Sequence, residues 1–152
     1  MNPPENWSLQ VESACARKGL QITPLRQAVL GIVGDSPAPL GAYAIIEALA
    51  RREGKAIAPP TVYRTLDFFL EHGFLHKIES RNAYARCEHF DHAHQSVLLL
   101  CESCGRSVER EDADLSRALQ ASAERAGFRA HRLMVEISGV CADCAAAPPA
   151  VG

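Results

Sequence analysis

No apolar run in the sequence comes near the ~18–20 residues that a helix needs to cross a bilayer, so a helical membrane span is not expected. The N-terminus, MNPPENWSLQ, lacks a basic start and an apolar h-region. No secretory signal is therefore expected, and the cytosol is the expected location. No internal repeat is visible. An excess of positive charge is missing too: the formal net charge is −2, which by itself looks wrong for a nucleic-acid binder. The distribution is more informative than the sum. Between Arg17 and Arg64 seven Lys and Arg stand against three Asp and Glu, whereas the stretch from Glu88 to Cys144 is net acidic. A basic first half and an acidic second half suggest two modules with different tasks. The 152 residues allow one ordinary domain or two small ones, and folding at this size buries roughly 70% of the unfolded chain's surface. With 47% apolar residues there is material for a real core.

Thiols stay reduced in the cytosol, so paired cysteines there point to metal more than to disulfides. Four of the six cysteines form two pairs, Cys101-Glu-Ser-Cys104-Gly105 and Cys141-Ala-Asp-Cys144, with 36 residues between them. Two such knuckles make a tetrahedral four-thiolate zinc site, and a zinc ion is expected there. The gap is long for a zinc ribbon, but it can hold a strand-helix-strand unit that lets the knuckles meet in space. A redox motif would need one pair only, placed at a strand-to-helix step, and neither pair sits there. Cys15, mid-helix in an apolar context, reads as core. Cys87 belongs to neither pair. It opens the stretch CEHFDHAHQ, in which three of the chain's six histidines fall.

The periodicity predicts a helix from a Ser8 cap to Lys18, with Gly19 ending it. A second opens at TPLRQAVLGIV, with Thr23 as cap and Pro24 in the first helical position. A third covers Ala42 to Arg52, with Tyr43, Ile46, Leu49 and Ala50 as its apolar stripe. A fourth, PPTVYRTLDFFLEHG, stops at Gly73 and buries Val62, Leu66, Phe69 and Leu70. Thr61, Arg64 and Asp67 face the other way, Tyr63 lies at the flank, and Phe68 falls on the polar side with no reason visible in the helix itself. FLHKIES and AYARC then read as a hairpin. Helices followed by a hairpin are the winged helix-turn-helix pattern, whose last helix enters the DNA major groove. Beyond Cys87 the pattern changes: SVLLLC as a buried strand, a short strand near Ser107 to Arg110, and a helix from Asp112 to Ala126 with Leu115, Ala118, Leu119 and Ser122 on one side. Leu133, Val135 and Ile137 alternate as a last strand. The expected class is thus α+β, with a winged-helix domain at residues 1–87, a linker at 88–95, a small α/β domain at 96–145 and a disordered tail at 146–152.

If the hairpin turns through Arg81 and Asn82 alone, His76 faces Cys87 directly, with Cβ atoms ~4.5–5.5 Å apart on one side. The pair would supply half of a tetrahedral site. His89, His92 or His94 can add a third ligand, and Glu109 or Glu111 can close it.

These residues have a familiar look. ITPLR, PPTVYRTLDFFLEHGFLHKIES and CESCG with CADC resemble the ferric uptake regulator family, and within it the zinc uptake regulator branch. The likeness runs from about Leu9 to Cys144. It implies a winged-helix domain joined to an α/β dimerisation domain, and a homodimeric, metal-dependent repressor of zinc uptake and homeostasis genes that binds palindromic double-stranded DNA. It implies two zinc ions per chain: a structural one on Cys101, Cys104, Cys141 and Cys144, and a regulatory one on His76, Cys87, His94 and Glu109, with His92 in reserve because the loop before His94 is shorter than the family's pattern. DNA contacts fall on Tyr43, Thr61, Tyr63 and Arg64. The HHDH pattern of the family's iron sensors is not present, nor is a histidine placed before Cys141 as their extra site needs. The iron sensors use nitrogen and oxygen donors, whereas a thiolate in the sensing site is soft and suits zinc. The rival within the family is an iron or peroxide sensor. A zinc hydrolase or thiol oxidoreductase is the rival outside it, and a four-ligand closed site argues against both. An RNA- or protein-binding zinc module leaves the order of helices and wing unexplained.

Overall fold

A computed structural model describes residues 6–91, 95–131 and 133–147. They fall into two compact units, Met1–Asp91 and His92–Gly152.

The first unit runs α1 (Trp7–Arg17), α2 (Pro24–Asp35), β1 (Leu40–Gly41), α3 (Ala42–Glu53), α4 (Pro59–Glu71), β2 (Leu75–Ile78), a 3-10 turn (Glu79–Arg81) and β3 (Ala83–Arg86). α2 begins as its sequence dictates: the Thr23 hydroxyl accepts the backbone N–H of Arg26 at 3.2 Å, and Pro24 occupies the first turn, where no N–H is needed. α1 starts a residue before the expected Ser8 cap, with Asn6 in a left-handed conformation at its cap position. Val62, Leu66 and Phe69 of α4 are fully buried, and burial of each such side chain contributes about 1.5–3 kcal/mol. Leu70, expected in that stripe, is only half-buried, and Thr65 takes the buried place with its hydroxyl donating to the Thr61 carbonyl at 3.1 Å. In α3 the buried residues are Ala42, Ile45 and Leu49, so the stripe is rotated from the predicted one and Tyr43 is 78% exposed. Phe68 now has its reason. The Arg26 guanidinium lies 3.6 Å from its ring centroid and the His72 ring packs at 4.7 Å, tilted by 59°, so the aromatic ties α4 to the start of α2.

At the end of α4, Gly73 adopts φ +77°, which lets the Phe74 N–H reach back to the Phe69 carbonyl at 2.9 Å. Phe74 is thereby buried edge-on against Phe69, and the chain passes directly into β2. β1, which is too short to show a period, pairs with β3 and makes the wing a three-stranded sheet ordered β1-β3-β2. The hairpin register departs from the expectation. The turn takes four residues, the 3-10 stretch plus Asn82 in the left-handed region, so His76 pairs with Ala85 and not with Cys87. Because the connection remains even in length, His76 and Cys87 stay on the same face, as diagonal neighbours.

The second unit runs β4 (Ser96–Cys101), β5 (Ser107–Glu111), α5 (Ala113–Arg125), β6 (Val135–Gly139) and α6 (Ala142–Ala146). Its sheet has the order β5-β4-β6, with β5 antiparallel and β6 parallel to β4. Asp112 caps α5, accepting the Leu115 N–H at 2.9 Å. Of the predicted stripe Leu115 and Leu119 are half-buried, while Ala118 and Ser122 are exposed. Leu133 precedes β6 instead of belonging to it, and α6 takes in Ala146, at the edge of the expected tail. Residues 148–152 of that tail lie outside the described residues.

The capping bond at α2 generates a stability test. Thr23→Ala is expected to cost about 1 kcal/mol in urea denaturation of the first unit's transition, with Thr23→Ser recovering most of it. Indistinguishable midpoints for the wild type and Thr23→Ala would remove the cap from the account.

Candidate functional site

The pairing of β4 with β6 explains how cysteines 36 residues apart come together. The two strands run parallel, with Cys101 opposite Gly139, so both knuckles emerge at the same end of the sheet. The sulfurs of Cys101, Cys104, Cys141 and Cys144 all lie within 4.8 Å of one another. Those of Cys104 and Cys141 are 3.9 Å apart. That is far beyond the ~2.05 Å of a disulfide. It matches the about 3.8 Å edge of a sulfur tetrahedron with zinc–sulfur bonds of about 2.3 Å. Gly105, at φ +79°, turns the first knuckle back so that its N–H donates to the Cys101 carbonyl at 3.0 Å. The Cys101 sulfur accepts the backbone N–H of Cys141 at 3.3 Å and of Cys104 at 3.5 Å.

The electrostatics of the cluster call for a cation. Backbone N–H donation from Cys104, then from Cys141, brings the Cys101 thiol down to about 6. At Cys144 the Ser103 side chain pulls the thiol down, but the sulfurs of Cys141 and Cys104, burial and Cys101 together outweigh it and push it up to about 12. Thiols this close to one another resist joint ionisation, because each negative charge disfavours the next. A dication would relieve that conflict, so this donor set fits zinc. The Arg106–Asp143 pair at 3.2 Å links the knuckles across an exposed edge, where ion pairs contribute little.

In the first unit a second donor set forms around the wing. The Cys87 sulfur and a ring nitrogen of His76 lie within 4.8 Å of each other. Cys87 is fully buried and sits one residue past β3, where its N–H donates to the Phe74 carbonyl at 2.9 Å. Glu109 stands in the second unit, on β5 opposite Leu98, and accepts the Ser96 hydroxyl at 2.6 Å. His94 and its substitute His92 lie outside the described residues. His89 is placed in the turn after Cys87.

Among the DNA-contact candidates, Tyr43 is the second residue of α3, and Thr61, Tyr63 and Arg64 occupy the first two turns of α4. Tyr63 is 39% exposed, Arg64 is exposed and Thr61 is half-buried, its carbonyl engaged by Thr65. Arg64 has no ion-pair partner among the described residues, which leaves its guanidinium available to an external acceptor. Two contacts were invisible in the sequence. The Trp7 indole N–H donates to the Cys87 carbonyl at 2.8 Å, and the Ser96 hydroxyl holds the Glu109 carboxylate. Neither residue belongs to a motif, and no spacing rule would find them.

The second unit also carries an apolar groove of about 400 Å³, lined in part by Leu99, Val108, Ile137 and Val140. Val108, Ile137 and Val140 are each more than two-fifths exposed, a large apolar surface for so small a unit.

The chain is similar to known proteins over most of its length. The zinc uptake regulation protein of Escherichia coli (strain K12) is 37% identical over 136 residues, which cover 89% of this chain and 79% of that protein. A solved structure of a zinc uptake regulator complexed with zinc and DNA superposes with a TM-score of 0.85 at 36% identity, covering 91% of this chain and 92% of that one. The crystal structure of holo XcZur gives 0.84 at 42% identity, covering 93% and 98%. The profile of the ferric uptake regulator family matches residues 17–138, and the chain belongs to that family.

Proposed function

We propose that this chain is a zinc-responsive, DNA-binding transcriptional regulator that represses zinc uptake and homeostasis genes, with zinc as co-repressor. The observation that carries the reading is a pair of separate donor sets: a complete four-sulfur cluster, and a lone buried thiol held against His76 in a winged-helix unit. Likeness to a zinc uptake regulation protein and to a regulator bound to zinc and DNA supports it. Two zinc ions per chain follow, a structural one on Cys101, Cys104, Cys141 and Cys144 and a regulatory one on His76, Cys87, His94 and Glu109, with His92 as the alternative loop ligand. The chain works as a homodimer, and the exposed apolar face of the second unit is what the partner covers. Two copies of α4 then meet successive major grooves of a palindromic operator, where Arg64, Tyr63, Thr61 and Tyr43 make the contacts. No helix among the described residues is long and apolar enough to cross a membrane. The cytoplasm is the proposed location, and no catalytic activity is assigned.

Bound zinc supplies a dication that donors from separate segments can share. The chain's contribution is where those donors stand. His76 and Cys87 come from the wing, His94 from the loop and Glu109 from β5, so all four are satisfied together in one arrangement of these segments only. These four donors would favour that arrangement when they share a dication, and a switch from mostly inactive to mostly active needs a preference of ~10⁴-fold, about 5.5 kcal/mol.

Operator binding across a zinc-buffered series, repeated with ferrous iron, tests the reading, and a protein that responds to iron alone refutes it. Within that assay Cys87→Ser should keep the fold, the dimer and one zinc per chain, yet lose operator binding at low free zinc. An unshifted zinc midpoint would show that Cys87 is no ligand. Cys144→Ser should lose the structural zinc and the dimer, read by metal analysis and by sedimentation; a dimer with an unchanged melting curve contradicts the four-sulfur assignment. Arg64→Ala should cost about 1–3 kcal/mol on the specific operator and relax preference at one position per half-site. Equal losses on every DNA sequence would reduce Arg64 to a phosphate contact.

A further inference from the structure

We propose that Trp7 is a positioning residue for the metal-sensing thiolate, fixing the backbone of Cys87 so that its sulfur is aimed for a metal shared with His76. The inference rests on the reading of Cys87 as a ligand given above. Trp7 is the chain's only tryptophan, and at 3% exposure it is part of the first unit's core. Its indole N–H crosses 80 residues of sequence to donate to the Cys87 carbonyl at 2.8 Å. Cys87 continues the β3 register one step past the strand, but the ladder bonds only its N–H, because the Phe74 N–H is turned back to Phe69. Its N–H is taken by the Phe74 carbonyl at 2.9 Å, and its own carbonyl by Trp7. With both peptide groups held, the Cα–Cβ direction is fixed, and the sulfur keeps only its χ1 rotamers.

The seat of the ring is made for it. A Cβ on Gly34 would stand 3.1 Å from Cε3 of Trp7, so the glycine near the end of α2 allows the indole to lie flush. The carbonyl of that same Gly34 accepts the Arg86 guanidinium at 2.7 Å, which anchors the residue before Cys87 to the same helix end. Packing alone does not call for this arrangement. A phenylalanine fills most of the same volume, whereas a buried indole N–H is costly unless it finds an acceptor. The acceptor here is the carbonyl of the proposed ligand itself. Groups that orient metal ligands from outside the coordination sphere typically change affinity 10–100-fold, and a hold on the carbonyl, not on the sulfur, belongs at the low end.

The test uses the full-length dimer with its four-sulfur zinc retained. Cobalt, and separately zinc, is titrated into the second site against a competing chelator. Trp7→Phe should bind about tenfold more weakly there. Its thiolate-to-cobalt charge-transfer band should shift, and the zinc midpoint of operator binding should move by the same factor. Gly34→Ala, which keeps the indole but crowds its seat, should move affinity in the same direction and covers the case in which Trp7→Phe folds poorly. Val33→Ala, a core truncation that keeps Trp7, Gly34 and Cys87 themselves, should lower the melting temperature and leave the cobalt spectrum and affinity unchanged. Wild-type cobalt affinity and spectrum in Trp7→Phe, beside a clear loss in Cys87→Ser, would overturn the role of Trp7 alone. An equal loss of affinity in Val33→Ala would overturn it too, by showing a general effect of stability. An unaltered Cys87→Ser would remove the ligand assignment and the positioning role together.

Discussion

Four sulfur atoms within 4.8 Å of one another repel as soon as more than one is ionised, and the second unit is organised around that repulsion. Cys144, pulled down by the Ser103 side chain but pushed up to about 12 by the neighbouring sulfurs and burial, shows its effect, whereas backbone N–H donors bring Cys101 down to about 6. Among the described residues of this unit the buried apolar ones are Val97, Leu98, Leu100 and Cys101, all on β4, and α5 buries none. A unit this thin needs staples. Under the proposed function it has two: a metal at the end of the sheet and a second copy over its exposed face. The parallel register of β4 and β6 serves the first by delivering both knuckles to one end, and the edge residues Val108 and Ile137 serve the second.

The first unit solves a different problem, with an ordinary core and a polar device at its rim. Helices α1 to α4 bury a continuous apolar cluster that includes Leu30, Ile45, Leu49, Leu66 and Phe69. That cluster supports a wing whose third strand, β1, stiffens the hairpin from the far side. Stiffness matters because His76 and Cys87 must keep their spacing without a direct cross-strand pairing. The four-residue turn shifts the register while keeping parity, so the two side chains meet diagonally. A turn one residue longer or shorter would have sent one of them to the opposite face.

Much of this was legible in the sequence because it is carried by local chemistry. Thr23 and Pro24 mark a helix start, Gly73 marks an end, and Cys-x-x-Cys marks a knuckle wherever it stands. The cluster of four cysteines needed only the inference that strand-helix-strand fills the gap, and the structure brings the four sulfurs together. What escaped depended on contacts between distant segments. The α3 stripe was misjudged because Tyr43 looks apolar yet lies outside, while small Ala42 lies inside. Phe68 made no sense within α4, since its partner Arg26 is 42 residues earlier. The hairpin register was misjudged because the 3-10 turn at Glu79–Arg81 carries no Gly or Pro to announce it. Trp7 and Ser96 carry no sequence signal for the same reason: each acts through a hydrogen bond to a residue far along the chain or across a sheet.

Metal choice, finally, turns on one atom. Histidine and glutamate donors serve iron, manganese and zinc alike, so a site made of them alone would leave selection to availability. A sulfur donor changes that balance, because thiolate is soft and binds zinc in preference to the harder divalent ions. The preference is useful only if the sulfur cannot step aside and leave a nitrogen and oxygen set behind. Cys87 lacks that freedom: it is fully buried, its N–H is held by Phe74, and its carbonyl is held by Trp7. In the proposed site a metal that cannot accommodate the sulfur must therefore leave it in a poor geometry or forgo binding. The rigidity that makes the wing a scaffold for His76 and Cys87 is thus also what would make the site selective.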